Sequence, residues 1–258
     1  MIPEIPTEKK RFFILTPSRS GSSFLSSLLS DAGANFPGEI AATWNPLGGA
    51  FESHDLGDAA YLFDQADNIQ KSKLHSPFYR LFYKKIVTYK RAKGKHKTQK
   101  VLKNSTFFKA ANLHSLPRIS AFMGYWPVII LNYRNFPEWL GSMYPGQRYH
   151  TVESLTHNYV TALENSVALL GLFGGCVMKY SDLMDPDSED WAQVLGEVTG
   201  LDGTVILESR NRRFRDPGPE SPLPVRLTRS EETTTLIGEY EGRAVSPSPS
   251  AIKRWLKT

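Results

Sequence analysis

The sequence predicts an α/β fold: a single domain with a mostly parallel central sheet flanked by helices. Short apolar runs alternate with segments of helical periodicity, which is the pattern of strands covered by helices on both faces. The chain has 258 residues, of which 40% are hydrophobic and 22% charged, near globular averages. We therefore expect one domain over residues 1–258, with a core of about 11–200 and an irregular C-terminal region at 201–258.

Four apolar runs predict the strands, in chain order 11–16, the pair Val101–Leu102 just before Lys103, 127–132 and 175–179. A turn of small residues follows the first run. Apolar residues at helical spacing then continue to Gly33, a plausible end of the first helix. Further helices are predicted near Pro137, over 152–173, and around 191–198 before Gly200.

The longest nearly apolar stretch, Val167–Met178, has twelve residues, whereas a membrane-spanning helix needs roughly 20. We expect no membrane span. The first ten residues include prolines, acids and lysines where a secretory signal has an apolar run. Cys176 is the single cysteine, which excludes a disulfide framework and predicts a cytoplasmic location.

Charge is distributed unevenly along the chain. Residues 68–137 contain fifteen Lys and Arg and no Asp or Glu, although the formal net charge of the chain is only +5. The densest part is the basic run at 84–100. Such segregation predicts that one region faces an anionic ligand or surface, and a solvated basic helix and loop is the alternative.

The loop after the first strand has the composition of an anion site. In a parallel sheet, free N–H groups at the start of the following helix point towards the ligand-binding edge. Glycine permits close approach, hydroxyl groups and an arginine donate further hydrogen bonds, and the residues of these types here are Arg19, Ser20, Gly21, Ser22 and Ser23. The alternative is that these residues only cap the helix.

A phosphate-binding loop of the Walker A type would read G-x-x-x-x-G-K-[ST]. Here Ser22 stands where the lysine would be, and the first glycine is missing. An ATP-dependent kinase is therefore disfavoured.

A second anion element is predicted after the strand at 127–132. Arg134 follows the strand end, and Ser142 comes about two helical turns later. Both side chains could reach one further phosphate. The alternative is an arginine paired with a carboxylate and a serine on a helix surface.

Together these residues resemble the sulfotransferases that use 3′-phosphoadenosine-5′-phosphosulfate (PAPS), particularly bacterial members. Arg19–Phe24 resembles the family's 5′-phosphosulfate loop, and Arg134 with Ser142 resembles its 3′-phosphate element. Residues 101–104, the Y-x-D-L at 180–183 and the N-P-x-G stretch at 45–52 are also similar. The resemblance implies a P-loop-like sulfotransferase fold, PAPS as co-substrate, adenosine 3′,5′-bisphosphate as product, and no metal.

The resemblance also implies catalytic residues. Lys103 would stabilise the oxygen that bridges sulfur and phosphorus, and Glu39, twenty residues after Arg19, would be the general base. Glu52 and His54 are the rival bases. The basic cluster Arg210–Arg215 would close over the nucleotide.

The acceptor implied by this reading is a hydroxyl group of a glycan, a glycolipid or a small alcohol, and the basic run favours an anionic one. A protein that binds nucleic acid or an anionic surface through residues 68–137 is the alternative from another class, although nucleic acid is the less favoured partner. The histidines His114, His150 and His157 lack metal-ligand spacing and are predicted to be structural.

Overall fold

The computed structural model describes residues 4–37, 51, 53, 55–58, 60–61, 95–143, 151–213 and 235–256. The strands in this part of the chain are β1 (Lys10–Leu15), β2 (Phe107–Lys109), β3 (Trp126–Tyr133) and β4 (Gly175–Lys179). They form one parallel sheet in the order β2-β1-β3-β4. The predicted single α/β domain with a parallel sheet is confirmed.

Helices flank the sheet. They are α1 (Ser22–Asp31), α2 (Ser115–Phe122), α3 (Phe136–Met143), α4 (Val152–Phe173), α5 (Tyr180–Met184), α6 (Asp190–Thr199), α7 (Gly203–Arg213) and α8 (Pro249–Trp255). Residues 55–58, 60–61, 95–104 and 235–238 are also helical. The helices predicted after Ser23, near Pro137, over 152–173 and before Gly200 are confirmed. Among the helices described, none has the length and apolar composition needed to cross a membrane.

The central strands β1 and β3 are buried along nearly their whole length. Ile14 and Leu15 on β1 and Ile129 and Ile130 on β3 have no exposed surface. Because helices cover both faces of a parallel sheet, such strands are continuously apolar rather than alternating. The same burial explains why the apolar runs of β1, β3 and β4 predicted these strands.

The strand order creates a topological switch point. From β1 the chain passes to β2 on one side and later returns to β3 on the other side of β1. In open α/β sheets, ligands bind outside the carboxyl ends of the strands, where the order reverses in this way. The carboxyl ends of β1 and β3 therefore mark the expected ligand site.

The strand predicted at Val101–Leu102 is wrong. Residues 95–104 are helical, and the second strand is Phe107–Lys109 instead. Phe107 and Phe108 stack on the paired rings of Phe12 and Phe13, with centroids 4.5 and 5.1 Å apart. These cross-strand aromatic pairs stabilise the sheet position of Phe107–Lys109.

The C-terminal region is more ordered than predicted. Helix α7 forms within it, and the side chain of Asp202 accepts a hydrogen bond from the N–H of Thr204 at 2.8 Å, in the first turn. Ile206 on this helix is fully buried. Further along, Gly175 and Val245 exchange two backbone hydrogen bonds of 2.9 and 2.7 Å. The C-terminal residues are thus attached to β4.

Candidate anion-binding site at the carboxyl edge of the sheet

The loop that joins β1 to α1 has an unusual backbone. Arg19 has a φ of +67° and Gly21 a φ of +81°. The left-handed region costs a residue other than glycine about 1–2 kcal/mol, so the conformation at Arg19 has to be stabilised by the rest of the loop. Gly21 is the N-cap of α1 and has no side-chain oxygen with which to cap the helix.

Gly21 lies directly against an aromatic ring. A Cβ atom at this position would lie 2.2 Å from Cδ2 and 2.3 Å from Cε2 of Tyr180. Real Cβ contacts are much longer than this. A residue larger than glycine at position 21 would therefore clash with the Tyr180 ring. The close approach and the positive φ both account for glycine at this position.

Hydrogen bonds from other elements hold the loop in place. Asn132 near the end of β3 donates through Nδ2 to the carbonyl of Ser20 at 2.8 Å. Trp139 on α3 donates through Nε1 to the carbonyl of Ser18 at 2.6 Å, and Asn112 after β2 donates to Ser18 Oγ at 2.7 Å. The loop between β1 and α1 is thus positioned by residues that follow β2 and by residues at the end of β3 and on α3.

Among the described residues at this edge, Ser20 Oγ and Asn132 Oδ1 are buried and have no hydrogen-bond partner. Both residues have no exposed surface. Since buried polar groups are nearly always paired, such atoms call for an explanation. Ser20 is one of the residues predicted to bind an anion, and its hydroxyl can donate one hydrogen bond.

Lys109, which was not predicted, points to the start of α1. It ends β2, is only 6% exposed, and donates through Nζ to Ser23 Oγ at 2.9 Å. A helix N-terminus carries partial positive charge, so the ammonium and the start of α1 present positive charge to the same place. In the sequence, Phe107–Phe108 before Lys109 and Val101–Leu102 before Lys103 were both candidates for this strand, and no local pattern distinguished them.

The second anion element lies next to the first. The guanidinium carbon of Arg134 lies 3.9 Å from the centroid of the Tyr180 ring, the same ring that packs on Gly21. Arg134 Nε is buried without a hydrogen-bond partner and is 3.9 Å from Glu138 Oε2. Ser142 is half-buried on α3, the helix whose Trp139 bonds to the loop.

Lys103 does not lie at a strand end. It is exposed on the helix at 95–104, and the adjacent carbonyl of Leu102 accepts a hydrogen bond of 2.6 Å from Arg11 Nε, near the start of β1. Since β2 runs parallel to β1, Lys103 is at the amino edge of the sheet and Lys109 at the carboxyl edge. The predicted placement of Lys103 is therefore wrong.

Two of the late arginines, Arg210 and Arg213, make contacts with other parts of the fold. Arg213 pairs with Asp31, with Nε 2.8 Å from Oδ2, at the last residue of α1. At 1.5 Å per residue, the ten residues of α1 separate this ion pair from Gly21 by about 15 Å. Arg210 is buried and donates to the backbone carbonyls of Asp185 and Pro186. These two side chains stabilise the fold and do not close over the site.

The predicted base Glu39 and its rivals Glu52 and His54 lie outside the described residues, as does Arg215. Residues 84–94 of the basic run also lie outside them. Within the described part of that run, Lys97 forms an exposed ion pair with Asp55 at 2.7 Å.

A C-terminal residue contacts the strand that precedes Arg134. The hydroxyl of Tyr133 donates to Glu241 Oε1, and burial together with this bond raises the pKa of Tyr133 well above its ordinary value. Tyr133 therefore remains a neutral donor at physiological pH. The contact attaches the C-terminal region to the carboxyl edge of the sheet.

Among the described residues, no group of three or more His, Cys, Asp or Glu side chains could hold a metal ion. His114 is partly buried, with Nε2 3.1 Å from Ser166 Oγ, and burial lowers its pKa. No protein-family model, curated protein or solved structure matches the chain.

Proposed function

We propose that this chain is a PAPS-dependent sulfotransferase, which transfers a sulfuryl group to an acceptor hydroxyl. The observation that supports this most is the buried ammonium of Lys109 bonded to Ser23 in the first turn of α1. The ammonium and the helix N-terminus present positive charge to the same place, and an anion bound there would interact favourably with both. The turn before α1 offers backbone N–H groups and the serine hydroxyls as hydrogen-bond donors to such an anion.

Two neighbouring anion elements favour a doubly charged nucleotide over a single phosphate. The turn Ser20–Ser23, with Arg19, would bind the 5′-phosphosulfate through N–H and hydroxyl donors. Arg134 and Ser142 would bind the 3′-phosphate, for which the planar guanidinium suits a bidentate contact. Tyr180 lies between the two elements, and both flank the switch point of the sheet.

In the reaction, the acceptor oxygen forms a bond to sulfur while the bond between sulfur and the bridging phosphate oxygen breaks. The electron pair of the broken bond remains on the phosphate, which becomes adenosine 3′,5′-bisphosphate. In this proposal Lys109 takes the role first predicted for Lys103 and stabilises the charge that develops on the bridging oxygen. A compact ammonium suits a localised charge of this kind.

The acceptor hydroxyl must lose its proton to a base as the new bond forms. Glu39 is our proposed base, with Glu52 and His54 as the rivals. The acceptor is a hydroxyl of a glycan, glycolipid or small alcohol. Cys176 is fully buried, and burial raises the pKa of its thiol to about 12, so it is a core residue compatible with our proposed cytoplasmic location.

The direct test incubates the purified chain with PAPS labelled at sulfur and a panel of neutral and anionic hydroxyl acceptors. We expect label to appear in at least one acceptor, together with adenosine 3′,5′-bisphosphate. ATP labelled at the γ-phosphate serves as the control for a kinase. Transfer from ATP and none from PAPS would overturn the proposal.

A further inference from the structure

The ring of Tyr180 contacts both anion elements. One edge packs on the backbone of Gly21, where a Cβ would lie 2.2 Å from Cδ2. The guanidinium of Arg134 lies over the same ring at 3.9 Å from its centroid. Tyr180 is the first residue of α5, directly after β4. A residue from a third segment therefore joins the loop after β1 to the arginine after β3.

The stack on Tyr180 helps to orient the Arg134 guanidinium. Nε of Arg134 is buried and has no hydrogen-bond partner. The carboxylate of Glu138 is 3.9 Å from Nε, which is beyond hydrogen-bond distance. An arginine has several rotatable bonds, and a stacked ring removes part of that freedom before a ligand arrives.

We propose that Tyr180 is a positioning residue that sets selectivity for a nucleotide carrying a 3′-phosphate. The inference rests on the proposed function. The ring holds the Arg134 guanidinium at a fixed place relative to the Gly21 loop, so that one ligand engages both elements without first ordering the arginine. A nucleotide without the 3′-phosphate gains nothing from this arrangement, and its affinity depends on the loop alone.

The test compares the dissociation constants of adenosine 3′,5′-bisphosphate and adenosine 5′-monophosphate by calorimetry. The quantity of interest is the Kd of the monophosphate divided by the Kd of the bisphosphate, in the wild type, in Tyr180→Phe and in Tyr180→Leu. Phenylalanine keeps the ring face and should retain the wild-type ratio. Leucine removes the stack, and we expect the ratio to fall by about tenfold, with a smaller change for the monophosphate.

A general loss of structure in the Leu variant would weaken the binding of both nucleotides and destabilise the fold. It would not specifically reduce the selectivity that the Phe variant retains. If Tyr180→Leu does not fold, Tyr180→Met replaces it, because a flexible thioether fills irregular space without a ring. A wild-type ratio retained in the Leu or Met variant overturns the inference alone. A wild-type protein that does not distinguish the two nucleotides removes the proposed function and this inference with it.

Discussion

The ammonium of Lys109 lies 2.9 Å from the hydroxyl of Ser23, in the first turn of α1. This contact joins the carboxyl end of β2 to the loop after β1. It also places a buried positive charge at the positive end of a helix dipole. An anion bound at the start of α1 would interact with both, which is why we propose the charge-stabilising role for Lys109.

Replacement of Lys109 by alanine should lower kcat by roughly 10²–10³, the usual effect of removing one preorganised donor from a developing charge. The matched control is Lys103→Ala, which removes an exposed lysine at the other edge of the sheet and should leave kcat unchanged. Steady-state kinetics with PAPS measure both. A Lys103 variant as impaired as the Lys109 variant would contradict the assignment.

Gly21→Ala should impair nucleotide binding by at least about tenfold and lower the free energy of unfolding by about 1–3 kcal/mol. The added Cβ would meet the Tyr180 ring at 2.2 Å, and the residue keeps a φ of +81°. Gly33→Ala is the control, because Gly33 has a φ of +95° with nothing within 4 Å of an added Cβ.

Denaturant titration and calorimetry separate the two effects. Both variants should show the backbone strain, whereas only Gly21→Ala should lose affinity for adenosine 3′,5′-bisphosphate. Equal affinity in the Gly21 variant and the wild type would mean that the close approach of the loop to Tyr180 has no part in binding.

Arg213→Ala should destabilise the fold by about 1 kcal/mol or less, as expected for a partly exposed ion pair, without changing nucleotide affinity. Hydrogen bonding by Arg213 is the main cause that lowers the pKa of Asp31 below its ordinary value of 3.8. The stabilisation is therefore complete above that value and is lost as the pH falls through the lower pKa of the folded state.

The stability difference between wild type and Arg213→Ala should thus be largest near neutral pH and vanish in strong acid. Melting temperatures measured across pH 2–7 check this, and Arg254→Ala, which removes an exposed arginine on α8, is the control. Weaker binding of adenosine 3′,5′-bisphosphate by the Arg213 variant would restore the discarded idea that this arginine covers the nucleotide.

Glu39→Gln should reduce kcat by roughly 10²–10⁴, the contribution typical of a general base, while nucleotide affinity stays unchanged. The amide cannot accept the acceptor's proton, but it preserves the size of the side chain. Glu52→Gln and His54→Asn, assayed alongside, identify the base if Glu39→Gln retains full turnover.

Much of the fold follows from the sequence because its central elements carry strong patterns. The strand at 175–179 and the helix at 152–173 have the predicted bounds. Their apolar residues are buried. Each segment is also long enough for a helical period to be distinguished from a strand period. The neighbouring positions of the Gly21 loop and Arg134 were also predictable, because carboxyl ends of parallel strands meet at one edge.

Strand β2 was not predictable in the same way. It has three residues, and two apolar pairs, each followed by lysine, competed for the position. Which pair enters the sheet depends on stacking with Phe12 and Phe13. This is a tertiary contact that no local pattern contains. Helix α7 was missed because Ile206 is its one buried apolar residue, too few to produce a helical period.

The most direct test of the central claim is thermal denaturation of the wild-type protein with adenosine 3′,5′-bisphosphate or adenosine 5′-monophosphate at equal concentration. One bound ligand at 100 times its Kd stabilises a fold by roughly 2.7 kcal/mol. We predict a clearly larger rise in Tm with the bisphosphate, because only that ligand also engages Arg134. Equal shifts with both ligands, or no shift with either, would contradict two anion elements acting on one nucleotide.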